Sequence, residues 1–444
     1  MINLFEHYNQ ITEQLHQTLK LAGHDNETIV IHEDGFLPDE IHSPYKFFAG
    51  YNVENDNANA KFFNDVEIPQ YWEIEGNNDH ALILDMGVIR GKIFYKKYYE
   101  HRIINHVEWL DQHGAVRFID YYTKHGVKFA QMTLDAQGEP ILKKYMNQQG
   151  QEVFYENYKT KTIVLDWKGK TYLFESQVAF LIFYLKQIEA DLTEIVINSL
   201  ATPFSVTYNL DTPGRDLLFW QEHSNGKIPG NMQLIFNGHT SRKTRVLIPD
   251  KEEFHSIYGQ LNENSQSLVT SAGYIYQYKK ENRHQKHALI MTNSDQIINL
   301  ESIVKANEDI DFYIGAITEM STKLLDIGQY QNVKLFPEID KETIETLYAL
   351  CDIYLDINEG NEIENAVKKA FDYDLLILSY TDVTHNHTVT AQQHRFDKSN
   401  DSEELKLYMQ QIYQQVSIFE NALNAQHAHA IEITVEAFNQ AFQQ

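Results

Sequence analysis

Asp111-Gln-His-Gly114, Thr123-Lys-His-Gly126, Asp135-Ala-Gln-Gly138 and Asn147-Gln-Gln-Gly150 recur at an unvarying step of twelve residues. Asp, Asn or Thr opens such a turn by bonding its own backbone, and Gly closes it because it accepts positive φ. Between the turns lie eight residues rich in Tyr, Phe, Val and Ile, the length and composition of a strand. The stretch therefore predicts a meander of consecutive β-hairpins, continuing into Thr160–Phe174 through Asp166-Trp-Lys-Gly169. Phe118, Ala130, Leu142 and Phe154, with Tyr122, Leu134, Met146 and Tyr158, are assigned to one apolar face. Tyr121, Phe129, Tyr145 and Tyr155, beside Lys128 and Lys143, are assigned to the other. That second, aromatic-and-charged face is expected to meet a partner.

Outside the meander, strands alternate with helices. Residues 3–22 read as a helix capped by Asn3, with Leu4, Tyr8, Ile11, Leu15 and Leu19 as its stripe and Gly23 as its stop. A strand follows at Thr28–Ile31, and the polar stretch Asn52–Ala60 reads as a loop tip. Strands are expected at Tyr71–Glu75, Ala81–Met86 and Val88–Tyr98. After the meander come a helix at Ser176–Ala190 and strands at Glu194–Asn198, Leu217–Trp220, Met232–Phe236 and Arg245–Pro249. From His287 the alternation is cleaner: strands at His287–Thr292, Asp311–Ile317, Asn332–Phe336, Ile353–Ile357 and Leu375–Ser379, with helices between them. Two helices, about Ser402–Leu423 and Ala430–Gln443, finish the pattern. Strands joined by helical crossovers imply parallel sheets. The fold class is α/β: residues 1–45 plus 160–270 as one doubly wound domain, 46–159 as a meander inserted in it, 271–425 as a second such domain, and 426–444 as a C-terminal helix.

The 444 residues carry a formal charge of −26. That balance argues against a nucleic-acid partner, which needs a basic footprint. No basic n-region, apolar h-region or run of about 18 apolar residues occurs, so no signal peptide or membrane span is expected and the reading is cytoplasmic. The single cysteine, Cys351, reads as a buried apolar residue. Ligands of doubly wound domains bind at the carboxyl ends of the strands. There stand Thr292-Asn-Ser-Asp-Gln296, without Arg or Lys for a diphosphate, and Asn358-Glu-Gly-Asn-Glu-Ile-Glu364, whose acids open a helix and oppose a second anion. His385-Asn-His387 and His427-Ala-His429 lack a third ligand nearby and read as solvent-exposed, so no metal and no cofactor is expected. Ser241-Arg-Lys-Thr-Arg245 reads as a solvated basic loop.

Asn3-Leu-Phe-Glu-His-Tyr-Asn9, Thr28-Ile-Val-Ile31, Asp34-Gly-Phe-Leu-Pro-Asp39 and Ser43-Pro-Tyr-Lys-Phe-Phe48 resemble the N-terminus of the accessory Sec system glycosylation chaperones. The resemblance runs over the whole chain. It implies a GT-B-like pair of Rossmann-like domains with the extended β-sheet inserted in the first. It further implies a non-catalytic subunit that stabilises a retaining glycosyltransferase. That enzyme adds N-acetylglucosamine from UDP-N-acetylglucosamine to Ser and Thr of serine-rich-repeat adhesins before accessory Sec export. The implied partners are the catalytic subunit, two copies of each in the complex, and the adhesin polypeptide; any membrane contact would be peripheral. Catalytic relatives carry a Glu-Gly-aromatic-Gly pattern after the fourth strand and an acid on the next helix. Here Glu359-Gly360 survive, Asn361-Glu362 replace the following pair, and Val367, Lys368 and Lys369 stand near the acid's place. No catalytic role is transferred. The acceptor is expected in the cleft between the domains, against Asn293, Ser294, Asn358, Glu359 and Asn361, and the partner enzyme against Tyr121, Phe129, Tyr145 and Tyr155. The rival readings are an active GT-B enzyme with an atypical donor site and a structural module with an empty cleft.

Overall fold

A computed structural model describes residues 1–51, 60–77, 79–97 and 102–443. The loop tip expected at Asn52–Ala60 and the strand end expected at Tyr98 fall wholly or mainly outside these residues. Two units are present: Met1–Gly273 with Val435–Gln444, and Tyr274–Thr434.

The first unit holds a six-stranded parallel sheet in the order Val269–Ser271, Lys243–Ile248, Arg215–Phe219, Glu194–Ile197, Ile2–Phe5, Glu27–Val30. Ile2–Phe5, expected as the first turn of a helix, is instead a strand with every residue buried. The helix begins later, at Gln10, because Asn9 caps it by accepting from the Thr12 N–H at 3.0 Å. The expected strand Met232–Phe236 is also corrected. It lies in a helix, Gly230–Phe236, that buries Met232 and Ile235 three residues apart on one face. Val435–Gln443 packs back on this unit, with Phe442 stacked on His24 and Asn439 bonded to the His24 ring.

Between Glu27–Val30 and Glu194–Ile197 the chain builds a ten-stranded antiparallel sheet whose strands follow in sequence order from Glu73 to Phe174. Thr162–Trp167 and Lys170–Phe174 belong to it, so the sheet runs past residue 159. Each twelve-residue turn closes as the sequence predicts; for example, Gly114 at φ 82° donates to the Asp111 carbonyl. Each strand pair joined by these turns also carries a register shift, at Trp109/Leu110, Tyr121/Tyr122, Thr133/Leu134 and Glu152/Phe154. A bulge inserts one residue and flips the facing of every residue beyond it on the strand. Ala130, Tyr145 and Phe154 therefore lie opposite one another on a single face, contrary to the assignment from four-residue spacing. That face packs on Tyr45, Phe48 and Phe180 of the first unit. Toward the other end the opposite face is covered, with Ala81, Ile83, Ile93 and Val107 buried against Val66, Phe63 and Trp72.

The second unit is a six-stranded parallel sheet in the order Val333–Phe336, Asp311–Ala316, His287–Thr292, Ile353–Asp356, Leu376–Tyr380, Arg395–Phe396. Ala288 and Ile290 enter one core and Leu289 and Met291 the other, as a strand covered on both sides requires. Cys351 is buried in the second of these cores. The single helix expected over Ser402–Leu423 is two, Ser399–Gln414 and Val416–His429, broken where Gln415 turns extended.

Arg242, expected in a solvated basic loop, is instead buried. Its Nε and Nη2 donate to Asp216 at 2.7 and 2.6 Å, and its other donors reach the carbonyls of Thr212 and Leu192 at 3.0 and 2.8 Å. A Cβ on Gly214 would fall 2.1 Å from the Arg242 guanidinium, so only glycine fits there. The fork anchors the Arg215–Phe219 strand to the loops at its amino end. Arg242→Met strands a buried carboxylate, and urea unfolding of the first unit is expected to show a loss of about 3–5 kcal/mol. The double variant Arg242→Met with Asp216→Leu recovers much of that loss, because no charge is then left unpaired.

Candidate functional site

Both parallel sheets reverse strand order at a switch point, where ligands of such sheets bind. In the second sheet the reversal falls between His287–Thr292 and Ile353–Asp356, and the sequence-selected residues gather beyond those two strands. The buried Thr292 hydroxyl accepts from the Ser294 N–H at 3.1 Å and donates to the Ser294 carbonyl at 2.7 Å, which folds the chain back at once. Ser294 Oγ donates to Asn358 Oδ1 at 3.4 Å, and the Glu359 N–H reaches the Gln296 carbonyl at 2.9 Å. A Cβ on Gly360 would stand 3.3 Å from each of Asn293 Oδ1, Asn358 Oδ1 and Ser294 Oγ. Three polar side chains thus converge on one glycine. Asn358 is buried and serves this scaffold, whereas Glu359 and Asn361 are exposed at the rim.

Sequence reasoning missed the residue that fixes this rim. His385, expected to be solvent-exposed, keeps only 18 % of its side chain in solvent. Its ring Nδ1 lies 2.5 Å from Asp356 Oδ1, and its Nε2 donates to the Gly360 carbonyl at 2.9 Å. Its backbone N–H donates to the second oxygen of Asp356 at 2.8 Å. Burial opposes a charge on this ring, but the Asp356 carboxylate and the Gly360 carbonyl outweigh it and raise the pKa to about 9. His385 is therefore an imidazolium that locks the Asn358–Gly360 loop to a strand end. His427 is likewise held, between Asp374 at 2.8 Å and Glu432 at 3.2 Å.

The electrostatics of the edge are acidic. Glu362 accepts from the Val367 N–H at 2.9 Å and so occupies the start of the helix Ala366–Asp372 with the chain's own carboxylate. Lys398 reaches the rim, but it is engaged by Glu359 and Asp382, each at 2.7 Å, and its pKa is raised by those two partners.

The four aromatics assigned to a partner separate in space. Phe129 is the extra residue of the bulge at Tyr121/Tyr122 and is fully buried beneath Gly35. Tyr145 is buried against Tyr45 and Phe154. Tyr121 lies on that same inner face, and Lys143 Nζ stands 4.9 Å from the ring centres of both Tyr121 and Tyr145. Burial lowers the Lys143 pKa. Only Tyr155 points outward. It lies opposite Lys144 and Val164, with Leu173 opposite Val164. Two residues along, the same face carries Leu142, Thr133 and Phe118. Leu173 is 68 % and Phe118 44 % exposed.

Four family models match in succession: the GtfB N-terminal domain over residues 2–48, the GtfB middle domain over 72–175, the GtfB third domain over 177–259, and the GftB/GlyA-F C-terminal domain over 288–426. A stabilising protein GtfB of a UDP-N-acetylglucosamine--peptide N-acetylglucosaminyltransferase, from Streptococcus agalactiae, is 40% identical over 87% of this chain and 87% of its own. The protein of the same name from Streptococcus pneumoniae is 37% identical over 100% and 99%. The chain belongs to the GtfB family. A chain in the crystal structure of a GtfA/B complex bound to UDP and GlcNAc superposes with a TM-score of 0.90 at 38% identity, over 100% of this chain and 99% of that one. The fold is accordingly a GT-B-like pair of Rossmann-like units with the antiparallel sheet inserted in the first.

The His385 pair sets a pH dependence. Its folded pKa lies above the unfolded value near 6.5. The stability it contributes is complete below about pH 6.5 and is lost as pH rises through 9. Between pH 7 and pH 10, thermal unfolding of the native protein is expected to drop further than that of His385→Gln. Equal drops would show that the ring is not charged at neutral pH.

Proposed function

We propose that the chain is the non-catalytic subunit of a retaining glycosyltransferase that adds N-acetylglucosamine to Ser and Thr of a serine-rich-repeat adhesin. In this reading it stabilises the enzyme and binds the acceptor polypeptide in the cytoplasm, before accessory Sec export, and any membrane contact is peripheral. Among the described residues no helix is long and apolar enough to cross a membrane.

One observation carries the non-catalytic part. The carboxyl edge of the second sheet, where an active relative needs cations for a nucleotide diphosphate, offers acids already used by the protein: Asp356 on His385, Glu362 on its own helix and Glu359 on Lys398. Bringing a diphosphate there sets like charge against like charge with no cation at hand among Asn293–Gln296 or Asn358–Asn365. The edge suits a neutral, hydroxyl-rich strand better. The exposed Asn361 and Glu359, with Asn293 and Ser294 behind them, offer amide, carboxylate and hydroxyl groups to Ser and Thr side chains and to backbone amides. Asn361→Ala with Glu359→Gln is expected to weaken binding of an unglycosylated serine-rich peptide in a fluorescence titration, and unchanged affinity would place the acceptor elsewhere.

The corrected strand facing supports a docking face on the outward side of the inserted sheet. Tyr155, Val164, Leu173 and Phe118 form the apolar part of the outward face, and they replace Tyr121, Phe129 and Tyr145 as candidate anchors for the enzyme. Buried anchors at an interface are worth roughly 2 kcal/mol or more each. Tyr155→Glu with Leu173→Glu is expected to abolish copurification with the catalytic subunit while the chain stays folded. Intact copurification would remove this face from the interface.

The decisive assay uses UDP-N-acetylglucosamine and a serine-rich acceptor with this chain alone, the catalytic subunit alone, and both. Transfer only in the mixture, or far faster there, is expected. Transfer by this chain alone would make it an active enzyme with an atypical donor site.

A further inference from the structure

The carboxyl edge of the first sheet carries chemistry that neither a stabilising nor an acceptor-binding role uses. Glu6 and His7 follow the strand Ile2–Phe5 directly, and His32 lies just beyond its neighbour Glu27–Val30. One ligand atom from each of the three lies within 4.8 Å of the others. Glu6 Oε1 is 3.3 Å from His32 Nε2, and the His7 and His32 rings stack with centres 4.5 Å apart.

We propose that Glu6, His7 and His32 bind one divalent transition-metal ion, zinc before others. Two imidazoles and one carboxylate are a zinc donor set that leaves a fourth, open position. Ligands on a tetrahedral zinc with bonds of about 2.0–2.1 Å stand roughly 3.3 Å apart, which is already the Glu6–His32 separation. His7 is exposed, so its ring is free to swing the remaining distance. The site is also braced from behind. The other oxygen of Glu6 accepts from the Thr202 N–H at 2.9 Å. The Glu6 N–H donates to Asn198 Oδ1 at 3.0 Å, and the His32 N–H donates to the Glu6 carbonyl at 3.2 Å. Such outer contacts orient ligands and are worth about 10–100-fold in metal affinity. A metal here would clip the ends of two adjacent strands together beside the switch point between Ile2–Phe5 and Glu194–Ile197. Its open position would take a water or a ligand oxygen.

The test is a zinc titration of the full-length chain in complex with its catalytic subunit, free of affinity tags, against a chelating indicator. One zinc per chain is expected. His7→Ala and His32→Ala should each weaken it by more than the roughly 10–100-fold of an outer contact. His223→Ala, an exposed histidine beside Glu253, should leave it unchanged. Zinc should also raise the unfolding temperature of the native complex and not of the His7→Ala/His32→Ala double variant, whose folding is checked by its copurification. Absence of saturable binding, or binding that survives in the double variant, would overturn the site and leave Glu6–His32 as a plain ion pair. Neither result bears on the transfer assay, so the two readings fail separately.

Discussion

The strand Ile2–Phe5 holds the first unit together. It pairs on one side with Glu27–Val30 and on the other with Glu194–Ile197, so the entire ten-stranded sheet is bracketed by its two edges. Asn3, wholly buried, bonds Thr28 Oγ1 at 2.9 Å inside that contact. Closing a long insert costs only slowly more with length, and here the insert folds on itself through nearest-neighbour hairpins. The long-range part of folding reduces to a few parallel pairings, then to packing of Phe154 and Tyr145 on Phe48, Tyr45 and Phe180. A charge or glycine in Ile2–Phe5 would therefore loosen the sheet far away as well as the strand itself.

The same architecture places two carboxyl edges of parallel sheets in one chain and fills them differently. In the second sheet Asp356, Glu362 and Glu359 are answered internally, and a protonated His385 bolts the loop that would otherwise adapt to a ligand. In the first, Glu6 and His32 are bonded to each other, with an exposed imidazole stacked alongside. An acidic edge whose nearby cations, His385 and Lys398, are already engaged by its own carboxylates is poorly suited to a diphosphate. In the function proposed above, that contrast is what would set a glycosyltransferase-like companion apart from an active enzyme.

Much of this was legible in the sequence. The turns at Gly114, Gly126, Gly138 and Gly150 gave the meander because glycine at positive φ leaves a periodic mark. The second sheet was legible because strands buried on both faces read as continuous apolar runs. Ile2–Phe5 was misread because four apolar-flanked residues before an amphipathic helix satisfy helical spacing too, and only pairing with Ile195–Ile197 decides between them. That error also hid the metal-type cluster, since Glu6 and His7 look unremarkable on a helix and meet His32 only when they end a strand. Arg242 was illegible for a similar reason. Nothing local distinguishes a solvated arginine from one forked onto Asp216, which lies 26 residues away.

Side-chain facing in the meander failed for a subtler reason, and the failure is informative. Period-two reasoning assumes an unbroken pleat, but these hairpin turns bring a bulge with them, and one extra residue per strand reverses the facing on either side of it. The bulges also let the long sheet bury one face at its C-terminal strands and the opposite face at its N-terminal strands. A sheet covered this way leaves an outward face over the C-terminal strands, where Leu173 and Phe118 are exposed beside Tyr155 and Val164. Apolar side chains in contiguous rows on a sheet face cost free energy in water. Lys144, paired with Glu152 at 2.9 Å on that face, keeps it from being uniformly greasy and so disfavours indiscriminate self-association. A face that is apolar in its rows and charged at intervals is the one the proposed docking to the enzyme would use.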